Sequence, residues 1–581
     1  MTVGHMEDKR GGAKALSLVI PAYNEADVIY RTITESAEAL DDLGVDYEIV
    51  VVDDGSTDGS AREIERAASE LESVVVVALP ENEGKGNAMK RGFQASGGDL
   101  VCFLDADLDL HPSQVANLMR VMEETGADLV IGSKRHTESL LEYPRERRFY
   151  SSIYYFLIRT LFRLPVHDTQ TGIKLFRRKV LVESFPRLVI KCFALDLELL
   201  VVANGLGYEI AEAPVEVKYQ RPIGRITWSD ITGIVLDTLS IFYRKNVLGY
   251  YAGALKPPVD REPRISIVVP SRGLDPMTQE CLRKCQELNY SNFDIKFISD
   301  GPADVELTPP GSEVIESGPV GPALKRNMGV EASDADLIAF IDADAWPDYD
   351  WLRSAVPYFD DDEVSAVGGA AITPPTDSRH QMASGMVYGS MLVSGSTIYR
   401  YKFHAFRKVD DLPTCNLLVR KADFEAVGGF DLEFWPGEDT VLCLKLVHEL
   451  GKQILYVPNC FVNHHRRALF RPHLRQVYSY AVHRGFFSRK FPENSRRAQY
   501  FVPSIFVLWL VAGLVAGLLY TPLLYAYISI LGLYLFLVLA ASIKCLDPVI
   551  DLLVFPGIVA THVTYGIGFM RGLLSSRMKE Q

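Results

Sequence analysis

From residue 501 to residue 543 the chain runs 43 residues without a charged side chain. A helix rising 1.5 Å per residue needs only about 20 apolar residues to cross ~30 Å of hydrocarbon. Thr521-Pro522 divides the run into 501–520 and 523–543, each long enough for one span. Buried soluble helices rarely reach this length without charge, so two spans are expected. A third stretch, 549–570, carries only Asp551 and His562. It reads as a third span, or as a re-entrant or interfacial segment. Three spans would leave Arg571, Arg577 and Lys579 on the far side, against the positive-inside tendency.

Residues 1–15 are polar and charged, without the apolar core of a signal peptide. The expectation is that the bulk of the chain stays on the side of synthesis. Arg484, Arg489, Lys490, Arg496 and Arg497 crowd the approach to the first span, which agrees with a multi-pass protein whose larger part is cytoplasmic. A 48% apolar and 10% aromatic composition excludes disorder as the overall state. The net charge of −14 sets nucleic-acid binding aside. The eight cysteines form no C-x-x-C pair, and Cys281 and Cys285 sit four apart on an expected helix, which favours packing and reduced thiols.

The sequence before the spans repeats itself. Ser17-Leu-Val-Ile-Pro21 recurs as Ser266-Ile-Val-Val-Pro270, and Tyr47-Glu-Ile-Val-Val-Val-Asp-Asp-Gly55 as Phe293-Asp-Ile-Lys-Phe-Ile-Ser-Asp-Gly301. Asn87-Ala-Met-Lys-Arg-Gly92 recurs as Pro322-Ala-Leu-Lys-Arg-Asn327, and Leu100-Val-Cys-Phe-Leu-Asp-Ala-Asp107 as Leu337-Ile-Ala-Phe-Ile-Asp-Ala-Asp344. In each copy short β-branched runs, apolar throughout, alternate with helical stretches. That pattern predicts a mostly parallel sheet covered on both faces. The expected organisation is a first α/β domain over 1–250, a linker over 251–263, a second α/β domain over 264–497 and a membrane segment over 498–574 with two or three spans. Stretches 150–164 and 230–243 have helical periodicity and suit either a membrane interface or an ordinary core-facing helix.

In open parallel sheets, ligands bind beyond the carboxyl ends of the strands. Residues 21–25, 53–58 and 105–107 all follow strands, so they are expected to converge on one crevice. Asp105-Ala-Asp107 places two carboxylates on one loop, a pair that suits a hard divalent cation with vacant positions for phosphate oxygens. Such an ion neutralises a diphosphate leaving group. The recurrence at Asp342-Ala-Asp344 in matched context strengthens the reading.

Together Ile20-Pro-Ala-Tyr-Asn-Glu25, Val52-Asp-Asp-Gly-Ser-Thr-Asp58 and Asp105-Ala-Asp107 resemble glycosyltransferase family 2, over about 16–225 and again over 264–470. The resemblance implies two tandem nucleotide-diphospho-sugar transferase domains of the GT-A fold and a Mg²⁺ or Mn²⁺ cofactor. It further implies that Pro21, Tyr23, Glu25, Asp53, Lys85 and Asp105 hold a nucleotide sugar, with Asp105 and Asp107 on the metal. In the second copy the nucleotide-sugar residues become Pro270, Asp300, Lys325, Arg326 and Asp342, and the metal ligands Asp342, Asp344 and His465, with His464 an alternative to His465. Ser299 stands where the family has the first Asp of its Asp-Asp pair.

The first copy resembles the dolichyl- or polyprenyl-phosphate glucose and mannose synthases through Asn82-Glu-Gly-Lys-Gly86, Asp168-Thr-Gln-Thr-Gly-Ile-Lys-Leu-Phe176 and Phe193-Ala-Leu-Asp-Leu-Glu198. The donor is then a UDP- or GDP-hexose. Lys134, Arg135, Arg147, Ser151 and Arg221 match the residues that hold the acceptor phosphate. A phosphate monoester is already anionic, so it needs cations rather than a base. The second copy carries Gly437-Glu-Asp439, which resembles the acceptor half of ordinary family members. There Asp439, beside Glu438, is the base that deprotonates a hydroxyl, on a lipid-linked or envelope glycan. Competing readings are a second domain that only binds or docks, and a sugar nucleotidyltransferase.

Overall fold

The computed structural model describes residues 14–141, 145–190, 194–218, 228–252, 255, 256, 259, 261–302, 308, 311–543 and 547–576. The chain divides into two compact units, Met1–Gly253 and Ala254–Gln581.

In the first unit β1 (Leu16–Ala22), β2 (Tyr47–Asp53), β3 (Val74–Ala78), β4 (Leu100–Leu104), β5 (Leu129–Ser133), β7 (Ile173–Arg177) and β8 (Ile210–Pro214) form one sheet in the order β3-β2-β1-β4-β7-β5-β8. Two short strands, β6 (Leu140–Leu141) and β9 (Glu216–Val217), pair separately. All neighbours in the main sheet are parallel except β7, which runs against both β4 and β5. Leu18, Ile20, Val51 and Leu104 are fully enclosed, as the continuous apolar runs require. Helices Ile29–Asp41, Ser60–Glu70, Lys85–Ala95 and Val115–Thr125 connect successive strands.

The second unit repeats this plan. Its main sheet has β10 (Ile265–Pro270), β11 (Phe293–Ser299), β12 (Ser312–Glu316), β13 (Leu337–Phe340), β15 (Val364–Gly368), β17 (Arg407–Val409), β18 (Leu417–Arg420) and β19 (Gln453–Tyr456). The order is β12-β11-β10-β13-β18-β15-β19-β17, with β18 in the antiparallel slot that β7 fills in the first unit. A small sheet of β14 (Ala345–Pro347), β16 (Ala371–Ile372) and β20 (Val462–His464) is added beside it.

One sequence match shifts in the structure. Helices Lys85–Ala95 and Pro322–Glu331 both begin after a glycine, Gly84 and Gly321. Each crosses its sheet at a glycine where a Cβ would strike the same strand position: Gly92 within 2.3 Å of Val19, Gly329 within 2.5 Å of Val268. Gly92 therefore corresponds to Gly329 rather than to Asn327, two residues from the match by identity. The position of Arg326 falls on Met89.

After the second sheet, helix Arg471–Lys490 leads into three helices long and apolar enough to cross a membrane: Ala498–Leu519, Thr521–Ser542 and Pro548–Leu574. Their mean hydropathies are 2.4, 2.3 and 1.5. The third is one continuous helix that packs along Arg471–Lys490 through glycines: a Cβ on Gly485 would lie 2.2 Å from the Phe569 carbonyl, and one on Gly572 1.9 Å from that of Val482. The fold is thus α/β, with two tandem GT-A units and a C-terminal set of apolar helices.

Candidate active sites

In the first unit the loops after β1, β2 and β4 meet. The main-chain N–H groups of Asn24 and Glu25 donate to Ser56 Oγ and Ser60 Oγ at 3.0 and 2.7 Å, and Thr57 N donates to Asn24 Oδ1 at 2.8 Å. Pro21, Tyr23, Glu25 and Asp53 are thereby gathered at one end of the sheet, with Tyr23 exposed and Asp53 buried. Asp53 Oδ1 accepts from Ser56 N at 3.0 Å, while Asp54 accepts from the N–H groups of Glu83 and Gly84 at 2.8 and 3.0 Å. Gly55 sits at φ +68°, and a Cβ there would come within 2.4 Å of the Glu81 backbone. Asp54 and Gly55 thus bring residues 81–84 against the second loop, and helix Lys85–Ala95 starts at the crevice.

Lys85 Nζ reaches Asp105 Oδ1 at 2.6 Å and Asp196 Oδ2 at 3.8 Å. Asp196 also pairs with Lys174 at 2.9 Å. Burial alone would raise the pKa of Asp196, but Lys174 and Lys85 outweigh it and hold the carboxyl below its usual range. Asp107 is the opposite case. Burial, then Asp105 and Asp109, push it up to about 6. A carboxylate raised by burial and like charges is one that a cation would restore to its ionised form, so Asp105 and Asp107 fit a divalent ion. Gly172 presses on this pair: a Cβ there would lie 2.3 Å from Asp105 Oδ2.

On the acceptor side, Lys134 N donates to Asp168 Oδ2 at 3.1 Å, and the Arg135 guanidinium lies 4.7 Å from the Tyr155 ring. Arg159 Nη1 donates to the hydroxyl of Tyr155 at 2.9 Å, and His167 stacks on its ring at 5.9 Å. Arg147 and Ser151 fall on helix Arg145–Phe162, but their side chains lie outside the described residues, as does all of Arg221.

The second unit holds its D-x-D pair differently. Buried Arg326 bridges Asp342 Oδ1 and Glu438 Oε1, both at 2.7 Å. Lys325 is also buried and bridges Asp300 Oδ1 and the Ser271 carbonyl, so it ties together the loops after β10 and β11. Pro270 ends β10 beside them. Asp342, Asp344 and His464 offer ligand atoms all within 4.8 Å of one another, the sole such group of three among the described residues. His464 Nε2 is 3.2 Å from Asp344 Oδ1. Burial opposes the charge on both groups, yet their mutual attraction lowers Asp344 to about 2 and raises His464 to about 10. An acidic pair with one imidazole is a fitting donor set for Mn²⁺ or Mg²⁺.

His465, the expected third ligand, is not in this group. β20 pairs antiparallel with β14, placing His464 opposite Ala345, and side chains alternate along the strand. His464 therefore turns to Asp344, while His465 binds Asp377 through Nδ1 and Glu280 through Nε2 at 3.2 Å.

Asp439 and Glu438 open helix Glu438–Leu444. Burial first, then Glu438 and Asp411, raise Asp439 to about 7. Beneath it lies an ion network that the motifs did not reveal: buried Asp411 accepts from Arg400 at 3.0 Å and from Arg484 at 3.2 Å. Arg484 read in the sequence as one of several charges before a span. Lys174 did leave a signal, a single cation inside the apolar strand Ile-Lys-Leu-Phe. Asn416 of the Thr-Cys-Asn motif is structural: it donates to the carbonyls of Ala370 and Cys460 at 3.2 and 2.8 Å and accepts from Trp351 Nε1 at 2.8 Å.

Two sheets of one plan, each with paired carboxylates at the end of its fourth strand, define a class of sugar-transferring protein. The model of "Glycosyl transferase family 2" matches residues 17–185 and 266–428, and the chain belongs to that family and is a glycosyltransferase. Dolichyl-phosphate beta-glucosyltransferase of Dictyostelium discoideum is 31% identical over 241 residues, 39% of this chain and 69% of that protein. Undecaprenyl-phosphate 4-deoxy-4-formamido-L-arabinose transferase of Shewanella sediminis is 34% identical over 201 residues, 34% of this chain and 58% of that one. The chain thus spans less than two thirds of the Shewanella relative. Glucosyl-3-phosphoglycerate synthase of Mycobacterium tuberculosis, solved with Mn²⁺, UDP-glucose and phosphoglyceric acid, aligns with TM-score 0.32 and 23% identity over 39% of this chain and 80% of that one.

Proposed function

We propose that the protein is a membrane-anchored transferase with two different acceptors: the first unit passes a hexose from a nucleotide sugar to a dolichyl or polyprenyl phosphate, and the second passes a sugar to a hydroxyl of a lipid-linked or envelope glycan. The observation that carries this reading is one position with two electrostatic states. Asp196 and Asp439 are each the second residue of the helix that follows the antiparallel strand and a short helix. Asp196 is neutralised by Lys174 and Lys85, so it is a poor proton acceptor. That suits an acceptor phosphate, which arrives ionised and needs only cations. Asp439, raised to about 7, is matched to accept a proton from a hydroxyl near neutral pH.

In each unit a divalent metal would be held by the D-x-D carboxylates, joined by His464 in the second, and would supply charge neutralisation to the departing nucleoside diphosphate. The chain's own groups do the rest. Lys85 and Arg326 orient the carboxylates, Asp53 faces the nucleoside side, and Arg135 with Lys134 meets the lipid phosphate. Asp439 takes the acceptor proton, and single displacement inverts the sugar carbon.

The relatives' names support a polyprenyl-phosphate acceptor for the first unit. Its helices Arg145–Phe162 and Trp228–Asn246 pack together through Tyr154 and Thr238, 3.3 Å apart, and leave Phe156, Leu239 and Tyr243 exposed, as a bilayer surface would favour. The three apolar helices supply the anchor, and the basic residues before them favour cytoplasmic catalytic units.

A second reading keeps the second unit as a docking module. Lys325 favours it, because its bridge to Asp300 and Ser271, beside buried Ser299, lies on the nucleoside side of the crevice. Radiolabelled-sugar transfer by the full chain and its Asp439→Asn variant separates the two. Loss of label from glycan with lipid-phosphate label retained supports two transferases. Unchanged labelling of both favours the docking module.

A further inference from the structure

The third apolar helix, Pro548–Leu574, differs from the other two in what it touches. It is the least apolar, and 39% of its apolar window is covered by protein, against 11% and 6% in Ala498–Leu519 and Thr521–Ser542. From Gly557 onward it runs beside Arg471–Lys490 in the same direction. A Cβ on Gly557 would meet the Leu469 side chain, Thr561 Oγ1 lies 3.0 Å from His473 Nε2, and Gly568 lies against Ala481. Arg471–Lys490 is part of the α/β unit: His473 Nδ1 is 2.8 Å from Ser384 Oγ, Arg484 binds Asp411 at 3.2 Å, and Phe487 packs on Phe434 at 5.4 Å. It exposes Arg471, Arg475, Arg489 and Lys490, which are costly to carry into hydrocarbon. Arginines of this one unit also hold both ends of the third helix. Exposed Arg379 binds Asp547, the N-cap, at 2.9 Å. Exposed Arg489 donates to the carbonyls of Leu573 and Ser575 at 2.8 and 3.4 Å. A crossing helix would carry one of these arginines to the far side.

The first two apolar helices form a hairpin that turns at Tyr520, with the Tyr527 hydroxyl donating to the Leu510 carbonyl at 3.3 Å. The third helix dips into the open end of this hairpin and comes out again. Ile550 and Val554 share a buried cluster with Val538. His562 Nδ1 accepts from the Tyr534 hydroxyl at 2.9 Å and its ring faces Phe506 at 6.3 Å. Beyond it Gly566 lies on Pro503, and Phe569 meets Phe501 at 4.9 Å. The deepest of these levels, Phe506 and Tyr534, is only ~12 Å from the open end at 1.5 Å per residue. Away from the protein the helix exposes Val549, Leu552, Ile567 and Leu574. At 3.6 residues per turn these four fall on one face ~60° wide. Exposed Met391 and Leu392 lie beside it, where His562 Nε2 donates to the Leu392 carbonyl at 2.9 Å.

We propose that Pro548–Leu574 does not cross the bilayer but lies along the surface on the catalytic side, as a lipid-binding face of the second unit, with Val549, Leu552, Ile567 and Leu574 in the outer acyl region. This rests on the reading that the other two helices span as a hairpin. Its protein-covered face carries Arg471–Lys490, and so ties the Arg484–Asp411 pair beneath Asp439 to the membrane surface. Arg571, exposed at the edge of the apolar stripe, then stays on the side of the other basic residues, as the positive-inside tendency requires. The partner is the phospholipid surface itself: an apolar stripe bordered by arginines suits the boundary between acyl chains and headgroups.

The test adds one cysteine at a time to the full chain in a bacterial inner membrane and scores labelling by an impermeant maleimide, above that of the unaltered chain, in intact and lysed spheroplasts. Thr521→Cys reports the hairpin turn, Ser576→Cys the end of the third helix, and Asp362→Cys the exposed surface of the second unit. The expected result is that Thr521→Cys labels in intact spheroplasts, whereas Ser576→Cys and Asp362→Cys label at least about fivefold more after lysis. Ser576→Cys sorting with Thr521→Cys would overturn the proposal, because the third helix would then cross. All three on one side would remove the hairpin itself, and the proposal with it. Nitroxide labels at exposed Leu552→Cys and Ile567→Cys in phosphatidylcholine–phosphatidylglycerol vesicles give the depth directly. The two labels should lie within about 5 Å of the same depth near the headgroups. A crossing helix would separate them by ~22 Å, and a separation of that order would contradict the surface position.

Discussion

Asp196 and Asp439 occupy the same backbone position and differ in what surrounds them. The expected consequence is a pH dependence confined to the second transfer. With Asp439 near 7, kcat/KM for the hydroxyl acceptor should rise as the pH passes 7 and level off above it, because only the carboxylate accepts a proton. Glu438→Gln removes a neighbouring negative charge, so the rising limb should move to lower pH. A limb that stays in place or moves up would contradict the assigned cause. Asp196 makes a stability prediction of opposite sign. Its folded pKa is depressed, so its ion pairs stabilise the fold above the ordinary carboxylate pKa and lose that contribution as the pH falls through the folded value. Lys174→Met should lower stability by about 3 kcal/mol at neutral pH, read as a drop in Tm. The D-x-D pairs were legible because their spacing repeats, and Asp439 only through the resemblance of Gly437-Glu-Asp439 to the family's acceptor half. The ion partners Lys174, Asp411 and Arg400 belong to no local motif, since distant strands and loops bring them together. His464 and His465 are adjacent, and which of them turns to Asp344 depends on the pairing of β20 with β14.

At the scale of elements, two glycines link packing to chemistry. Gly172 lies where β7 begins, against Asp105. Gly172→Ala would displace the carboxylate, so the first transfer should fall by at least about tenfold with little change in Tm and an unchanged second transfer. Helix Arg471–Lys490 makes the complementary case. It carries Arg484 beneath Asp439 and meets Pro548–Leu574 where Gly485 and Gly572 allow backbone contact. Gly572→Ala should therefore cost about 1–3 kcal/mol by overpacking, measured by thermal unfolding in detergent. The same variant should lower the second transfer more than the first. The strands were readable from their β-branched runs and the apolar helices from their uncharged length. The two-residue shift between Lys85–Ala95 and Pro322–Glu331 was not, because identity aligned Lys-Arg with Lys-Arg while packing aligned Gly92 with Gly329. With that shift Arg326 stands at the position of Met89 and Lys85 at that of Pro322, so the two D-x-D loops are met by cations from different positions of the helix.

For the whole molecule, the repeats predict the two-unit plan, and the structure adds that seven strands of each sheet share one order with a reversed strand in the same slot, while the second sheet gains β17, antiparallel to β19, at its edge. The chain duplicates a scaffold and changes the charge around one acidic position, and the acceptors proposed for the two copies differ for that reason. The most direct test measures transfer of labelled sugar by the full chain in membranes, with lipid-phosphate and glycan products separated, for Asp105→Ala and Asp344→Ala side by side. The proposed division of labour requires that Asp105→Ala abolishes labelled lipid phosphate while Asp344→Ala leaves it intact and abolishes labelled glycan formed from supplied acceptor. Labelled lipid phosphate that survives Asp105→Ala and disappears with Asp344→Ala would contradict it.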